Sequence, residues 1–220
     1  MYWPRRADDK RKKVAKAALF DLDGTLVESD AAVVWCVNEL LRRLSLPPAD
    51  PAEIIGLIGV GLTPLLKEFM PEPEAHVAEY QRLYRQGFGD RTKVYEGTAV
   101  TLSALRKAGI KTGLVTNRNK DLAVTIVAHF GLDDLFDTLI GDGEGWPLKP
   151  DPAMVFEACR RLGVEPRETI LAGDTLIDVA TGRNAGCETV LLNYKGVYKE
   201  SDADHVIVSL PKILDFFKGS

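Results

Sequence analysis

Four aspartates, a threonine and a lysine supply most of the chemistry open to this sequence. Asp21 and Asp23 lie in ALFDLDGTLVE (residues 18–28), Thr116 in LVTNR (114–118), Lys149 in LKPDP (148–152), and Asp174 and Asp178 in AGDTLIDV (172–179). Asp21 and Asp23 stand where an apolar run should continue, just before a Gly-Thr turn. Carboxylates in such a position are seldom buried without a partner. With Leu22 between them, strand alternation sends both to one side and Leu22 to the other.

Each of the four segments follows an apolar run that reads as a strand, the third after the long connection GDGEGWPLKPDP. In a parallel sheet they converge on one edge, which crowds Asp21, Asp23, Asp174 and Asp178 into a small volume. Two carboxylates about 4 Å apart repel by roughly 4 kcal/mol at an effective dielectric of 20, so the cluster requires a compensating cation. All-oxygen ligation with no His or Cys nearby fits Mg²⁺, which keeps waters and accepts substrate phosphate oxygens. Lys149 and the Thr116 hydroxyl then read as a charge and a donor aimed at a phosphate dianion. Structural readings stand beside these. Thr175 with Asp178 resembles a helix capping pair, Asp151-Pro152 a cap with proline in the first turn, and Asn119 another cap. None of them explains Asp21 next to Asp23, and the four segments in this order are a stronger signal than any one alone.

The elements that must position these residues alternate between short apolar runs and amphipathic stretches. Strands are expected at 17–20, 112–115, 138–140, 169–172 and 189–192, with a weaker one at 205–208; helices are expected at 99–107, 122–130, 153–162 and 177–184. This alternation predicts an α/β fold, a Rossmann-like parallel sheet flanked by helices. One interval breaks the rhythm. Residues 28–91 show only helical patterns, at 30–44, 63–69 and 74–86, separated by turns at Pro47-Pro48 and Pro71-Glu72-Pro73. The expected organisation is a basic flexible tail at 1–16, an α/β core at 17–27 and 92–220, and a small all-helical cap at 28–91. Ligands of open α/β sheets bind beyond the carboxyl ends of the strands, so a cap leaving the first strand covers that crevice.

Bulk properties narrow the function classes. At 220 residues, 45% hydrophobic and 27% charged, the chain is an ordinary globular one, without an apolar run long enough to span a bilayer or a signal-peptide segment. The expectation is a cytoplasmic protein with no membrane partner. Cys36, Cys159 and Cys187 are widely spaced and read as reduced thiols; His76, His129 and His205 are equally scattered and do not form a metal site. Residues 1–16 hold seven Lys/Arg and two Asp, a net of +5, which leaves 21 Lys/Arg against 30 Asp/Glu, a net of −9, on the rest of the chain. An acidic body argues against nucleic acid as the main partner, and the basic leader reads as a solvated tail.

FDLDGTLVES, LVTNR, LKPDP and AGDTLIDV, in this order, resemble the four motifs of the haloacid dehalogenase superfamily of phosphohydrolases, over residues 17–210. The helical insertion, together with VYEGTAVTLSALRKAGIKTGLVTN and RNAGCETVLL, is similar to the subclass containing phosphoglycolate phosphatases. The resemblance implies a Mg²⁺-dependent hydrolysis of a small phosphorylated metabolite. Asp21 is then the nucleophile that forms an aspartyl-phosphate, and Asp23 the acid and base. It also implies that Thr116, Asn117 and Lys149 hold the phosphoryl group, and that Asp21, the Asp23 carbonyl and Asp174 bind the metal, with Asp178 acting on it directly or through another ligand.

Several alternatives belong to the same superfamily. Carbon-attacking dehalogenases do not need Asp23. A phosphonate-cleaving enzyme needs a cap lysine, for which Lys67 is the available residue. Sugar phosphomutases, pyrophosphatases and nucleotidases share the motifs. A non-catalytic binding module would be expected to lack the nucleophile or the lysine, and both are present. The cap segment IIGLIGVGLTPLLKEF, with Gly56, Gly59 and Gly61, resembles the turn that closes over the leaving group, and Arg82 and Arg85 are candidates for a second substrate anion. The stretch LLNYKGVYKESDADHVIVSLPKILDFF departs from the glycine-rich run usual in that subclass.

Overall fold

Ala17–Phe20 forms β1, four consecutive apolar residues that are all fully buried, as a strand covered on both faces by helices must be. The computed structural model describes residues 15–218. Most of the basic leader therefore lies outside the described residues. Its last two residues are tied to the core: Ala15 is buried, and Lys16 donates its backbone N–H to the Glu168 carbonyl at 2.7 Å and pairs its ammonium with the Glu168 carboxylate at 2.8 Å.

Beyond β1 come β2 (Val27–Glu28), the helices α1 (Asp30–Arg43), α2 (Pro51–Gly56), α3 (Leu62–Lys67) and α4 (Pro73–Gly87), and β3 (Lys93–Val94). The core resumes with α5 (Thr98–Lys107), β4 (Lys111–Asn119), α6 (Lys120–His129), β5 (Thr138–Asp142), α7 (Ala153–Leu162), β6 (Thr169–Gly173), α8 (Leu176–Ala185), β7 (Glu188–Leu192) and β8 (His205–Ile207). A 3₁₀ stretch, Leu210–Phe217, packs on α5. Among the described residues no helix is long and apolar enough to cross a membrane.

Six strands form one sheet in the order β5-β4-β1-β6-β7-β8, and every pairing is parallel. The chain winds from β1 outward through β4 and β5, then returns to the other side of β1 through β6. The order reverses at β1, which makes its carboxyl end the topological switch point where such sheets bind ligands. Alternation sorts the sheet's side chains: Leu19 faces Met154, Val155 and Ala158 of α7, whereas Ala18 and Phe20 join the opposite layer with Leu102 and Leu105 of α5 and Ile126 of α6.

Within 28–91 the helices pack by their apolar faces, α1 against α2 and α4, and α3 against α4, burying Cys36, Val37, Leu40, Leu66, Leu83 and Tyr84. Two features depart from the expected pattern. Pro51–Gly56 is a helix whose start is set by the Asp50 side chain accepting from the Ala52 N–H at 2.7 Å, with proline in the first turn. The chain also enters and leaves the insertion through an antiparallel pair, Val27 opposite Val94 and Glu28 opposite Lys93, too short for any alternation to be visible in sequence.

Candidate active site

Asp21 is the first residue after β1 and extends its ladder by one bond, its N–H donating to the Ala172 carbonyl at 3.0 Å. The chain then turns sharply: the N–H groups of Thr25, Leu26 and Val27 all donate to the Leu22 carbonyl, and Gly24 takes φ +77°. Gly24 is required here for space as well, because a Cβ would lie 2.1 Å from Asp174 Oδ2. The turn and the end of β4 bring Asp21, Asp23, Thr116, Asn117 and Arg118 onto the wall of one cavity of about 50 Å³, lined on its far side by Ile58, Gly59, Gly61, Leu62 and Leu65 of the insertion and by Tyr80 of α4. The insertion thus sits as a lid over the switch point.

Asp21, Asp174 and Asp178 each place a carboxylate oxygen within 4.8 Å of the others. Lys149, only 4% exposed, reaches between two of them, its Nζ lying 2.8 Å from Asp21 Oδ1, 2.6 Å from Asp178 Oδ1 and 3.1 Å from the Val115 carbonyl. The approach to Asp21 is an ion pair off the line of a hydrogen bond, so that buried oxygen has no hydrogen-bond donor. Asp178 is committed elsewhere: its Oδ2 accepts from the Thr175 N–H and hydroxyl, closing a capping box at the start of α8, while Oδ1 accepts from Lys149. Asp174 takes one donor, the Thr25 hydroxyl at 2.9 Å.

The electrostatics follow. Burial pushes the Asp21 carboxyl up to about 6, opposed by Lys149 and assisted by Asp178 and Asp23. Burial, then Asp178, then Asp21, push Asp174 up to about 8. Burial also works against the Lys149 charge, but Asp178 and Asp21 outweigh it and hold the ammonium above its ordinary range. A hard divalent cation fits this donor set: the donors are all oxygens, one buried oxygen lacks a hydrogen-bond donor, and two carboxyls are held back from ionising by burial and by the neighbouring carboxylates.

The remaining expected residues divide into two groups. Thr116 is buried; its hydroxyl oxygen accepts from the Arg118 N–H at 3.2 Å, which leaves its proton to donate. The Asn117 side chain is fully used in positioning: Nδ2 donates to Gly59 O at 2.9 Å and Lys149 O at 3.1 Å, while Oδ1 accepts from the Lys149 N–H at 2.7 Å. It therefore ties the lid to the lysine loop. Gly59 and Gly61 line the cavity, whereas Gly56 has open space around it. Lys67 is exposed, and Arg82 pairs with Glu79 on the outer face of α4. Of the capping readings, Asn119 does cap α6, whereas Asp151 stands one residue before the N-cap of α7, which is Pro152, and only accepts from the Ala153 N–H at 2.9 Å.

Some residues of the site gave little sign in the sequence. Arg118 grips Asp23 through two bonds, Nε to Oδ2 at 2.6 Å and Nη2 to Oδ1 at 2.7 Å, and the Ser29 hydroxyl donates to the same Oδ1 at 2.5 Å. Tyr194, in the stretch that departs from the expected glycine-rich run, donates its hydroxyl to the Thr25 carbonyl at 3.0 Å and stacks on Tyr95 with centroids 4.3 Å apart. Arg118 is visible in sequence only as the residue two places beyond Thr116, and Tyr194 only as an aromatic after the fifth large strand.

Comparisons with known proteins agree with this architecture. Residues 18–192 match the family model for haloacid dehalogenase-like hydrolases. A phosphoglycolate phosphatase from Chromobacterium violaceum is 31% identical over 220 residues, covering 94% of this chain and 98% of that one. Pyrophosphatase PpaX from Halalkalibacterium halodurans is 30% identical, over 90% of this chain and 94% of its own. The crystal structure of a predicted phosphoglycolate phosphatase from Haemophilus somnus superposes with a TM-score of 0.81 at 26% identity, covering 95% of this chain and all of that one. With a family match over most of its length, and 31% identity along nearly the whole of a relative, the chain belongs to the haloacid dehalogenase-like hydrolase family and sits among its phosphatases.

Proposed function

We propose that the protein is a Mg²⁺-dependent phosphatase that hydrolyses a small phosphomonoester through an aspartyl-phosphate on Asp21, with a phosphoglycolate-like substrate favoured. The observation that carries this reading is the pairing of Asp21 and Asp23 on one cavity wall at the switch point, with Lys149 at 2.8 Å from Asp21. The Asp21 carboxylate attacks phosphorus as the ester P–O bond breaks, and Asp23 gives the departing alkoxide its proton. Asp23 then takes a proton from water, whose oxygen attacks the phosphoryl group and releases Asp21 and inorganic phosphate. Thr116 donates its hydroxyl to a phosphoryl oxygen, and the Asn117 backbone is available beside it, its side chain being engaged in positioning. Lys149 keeps Asp21 ionised for attack and is itself held by Asp178.

Asp21 and Asp174, with the Asp23 carbonyl, would hold the cation, and Asp178 would act through Lys149 and Thr175. When bound, Mg²⁺ supplies positive charge that neutralises the transferring phosphoryl group. The exposure of Lys67 speaks against the phosphonate reading, and the presence of Asp23 against attack on carbon. A cavity of about 50 Å³ walled partly by the insertion favours a compact leaving group over a nucleoside. Among the relatives, phosphoglycolate phosphatases recur, beside a pyrophosphatase and N-acetylmuramic acid 6-phosphate phosphatases whose substrate is larger. A panel of phosphorylated metabolites compared by kcat/KM, with Mg²⁺ and with EDTA, tests the reading. Hydrolysis is expected with Mg²⁺, fastest for phosphoglycolate, and is expected to stop with EDTA. Release of no phosphate from any member would overturn it.

Metal binding is expected to depend on pH in a defined direction. Without the cation, Asp174 is protonated below about 8 and Asp21 below about 6, so Mg²⁺ must displace protons that are more firmly held as the pH falls. The rise in Tm given by a fixed Mg²⁺ concentration should be larger at pH 8.5 than at pH 5.5. Calorimetric titration at pH 7 in buffers of different ionisation enthalpy should show about one proton released per ion, chiefly from Asp174. Equal thermal shifts at the two pH values would contradict the assigned ligands.

A further inference from the structure

Arg118 extends from the end of β4 and lies between the core and the lid. Its guanidinium forks onto both oxygens of Asp23 at 2.6 and 2.7 Å, and its Cζ sits 4.3 Å from the centroid of the Tyr84 ring in α4. The ion pair is buried, with each side chain 8% exposed. Ser29, at the start of α1, adds a third bond to the same carboxylate. On the reading proposed above, Asp23 has to exchange a proton with the leaving group, yet both of its oxygens are occupied by Arg118 and Ser29. For Asp23 to turn toward the substrate, Arg118 must give up at least part of its grip.

A guanidinium released in this place needs another acceptor. It cannot shed its proton, and a buried charge deprived of its partner is strongly unfavourable. The wall around it offers little: Val33, Ile58, Leu62, Leu65 and Leu122 are apolar, the other anion, Asp21, is already paired with Lys149, and Arg118 is the one cationic side chain lining the cavity among the described residues. The missing acceptor can come from the substrate. A planar fork matches a carboxylate or a phosphate in two-point contact.

We propose that Arg118 is a specificity-determining residue that exchanges its bidentate grip on Asp23 for an anionic group, carboxylate or phosphate, carried by the leaving group. A substrate with such a group frees Asp23 as it binds. A neutral leaving group leaves Asp23 clamped. The anion therefore raises kcat as well as lowering KM, because its binding is coupled to release of the group that acts in the transition state. This inference rests on the phosphatase reading and adds the substrate class to it.

The test compares 2-phosphoglycolate, pyrophosphate and ethyl phosphate as substrates of the full-length protein with Mg²⁺, using wild type, Arg118→Lys and Arg118→Met. Wild type is expected to prefer at least one anionic substrate over ethyl phosphate by about 10²-fold or more in kcat/KM, with part of the preference in kcat. Which of the two it prefers identifies the anion as carboxylate or phosphate. Arg118→Met should compress that preference to about 10-fold or less, and Arg118→Lys, which keeps the charge without the fork, should fall between. Glycolate should inhibit wild-type hydrolysis of a chromogenic ester more strongly than ethylene glycol, a measurement that does not depend on any variant folding. The inference is overturned if wild type turns over ethyl phosphate as well as the anionic substrates, or if both variants lose activity on all three by one common factor, which would make Arg118 only a strut for Asp23. Wild-type inactivity on these three and on every other phosphomonoester would instead remove the phosphatase reading itself.

Discussion

Asp21→Asn is expected to lower turnover of any phosphomonoester by about 10⁴-fold or more while leaving the metal-free protein folded and no less stable. The kinetic loss follows from chemistry: a neutral amide cannot attack phosphorus, and Asp23, clamped by Arg118 and Ser29, is not placed to substitute for it. The stability effect has the opposite sign to that of an ordinary buried ion pair. Burial holds the Asp21 carboxyl up at about 6, above its usual value near 3.8. An acid whose folded-state pKa is raised penalises the folded state fully above that value, and the penalty fades as pH falls toward the unfolded one. At pH 8 the asparagine removes this penalty, and Lys149 keeps Asp178 at 2.6 Å as its partner. A Tm equal to or a few degrees above wild type at pH 8, the excess shrinking as the pH falls through 6 toward the unfolded value near 3.8, is the expected thermal record. With Mg²⁺ present the order should reverse, since the variant has lost a ligand. A variant that kept near wild-type turnover would refute Asp21 as nucleophile.

Much of this geometry was legible in the chain because it depends on short-range rules. The all-apolar strand Ala17–Phe20 announces a sheet buried on both faces, and the carboxylates that end it can only sit at the sheet's edge. Thr116, Lys149 and Asp174 follow from the same logic once the strands are taken as parallel. What stayed hidden is set by contacts between residues far apart in sequence. Arg118 and Asp23 are 95 residues apart, and their pairing depends on β4 lying directly beside β1. The Asn117 side chain has the chemistry of a ligand, but its partner is Gly59 on the lid, 58 residues away, and so it positions. The Val27–Val94 pairing at the base of the insertion is too short for any periodicity to be detected. Helix α2, by contrast, carries a local signal, the Asp50-Pro51 step whose aspartate caps the first turn. Asp178 shows how a structural reading and a functional one can both hold, since one oxygen closes the capping box with Thr175 and the other anchors Lys149.

Lys149→Met should be the variant that damages both properties at once. The ammonium is 4% exposed and is shared by two carboxylates and the Val115 carbonyl. The methionine fills similar space but strands Asp21 and Asp178 as buried like charges, each without its cation. Removing one member of a buried ion network costs about 3–5 kcal/mol, which for a chain of this size is a fall in Tm of about 10 °C. The fall should be largest at pH 8 and shrink toward pH 5, because protonation relieves the stranded Asp21, whose folded-state pKa is already raised by burial and loses the ammonium that opposes the rise; the penalty is present above that value and lost below it. Mg²⁺ should recover part of the stability by supplying positive charge to Asp21. It should not recover turnover, which is expected to drop by about 10³-fold, because the ion cannot also stand where the ammonium kept Asp21 ionised and aimed. The combination separates the two roles of Lys149: melting curves at two pH values with and without Mg²⁺, set beside kcat/KM at saturating Mg²⁺. If the added ion restored activity along with Tm, Lys149 would be a structural counter-charge only, and the phosphoryl-binding cluster would reduce to Thr116, the Asn117 backbone and the metal.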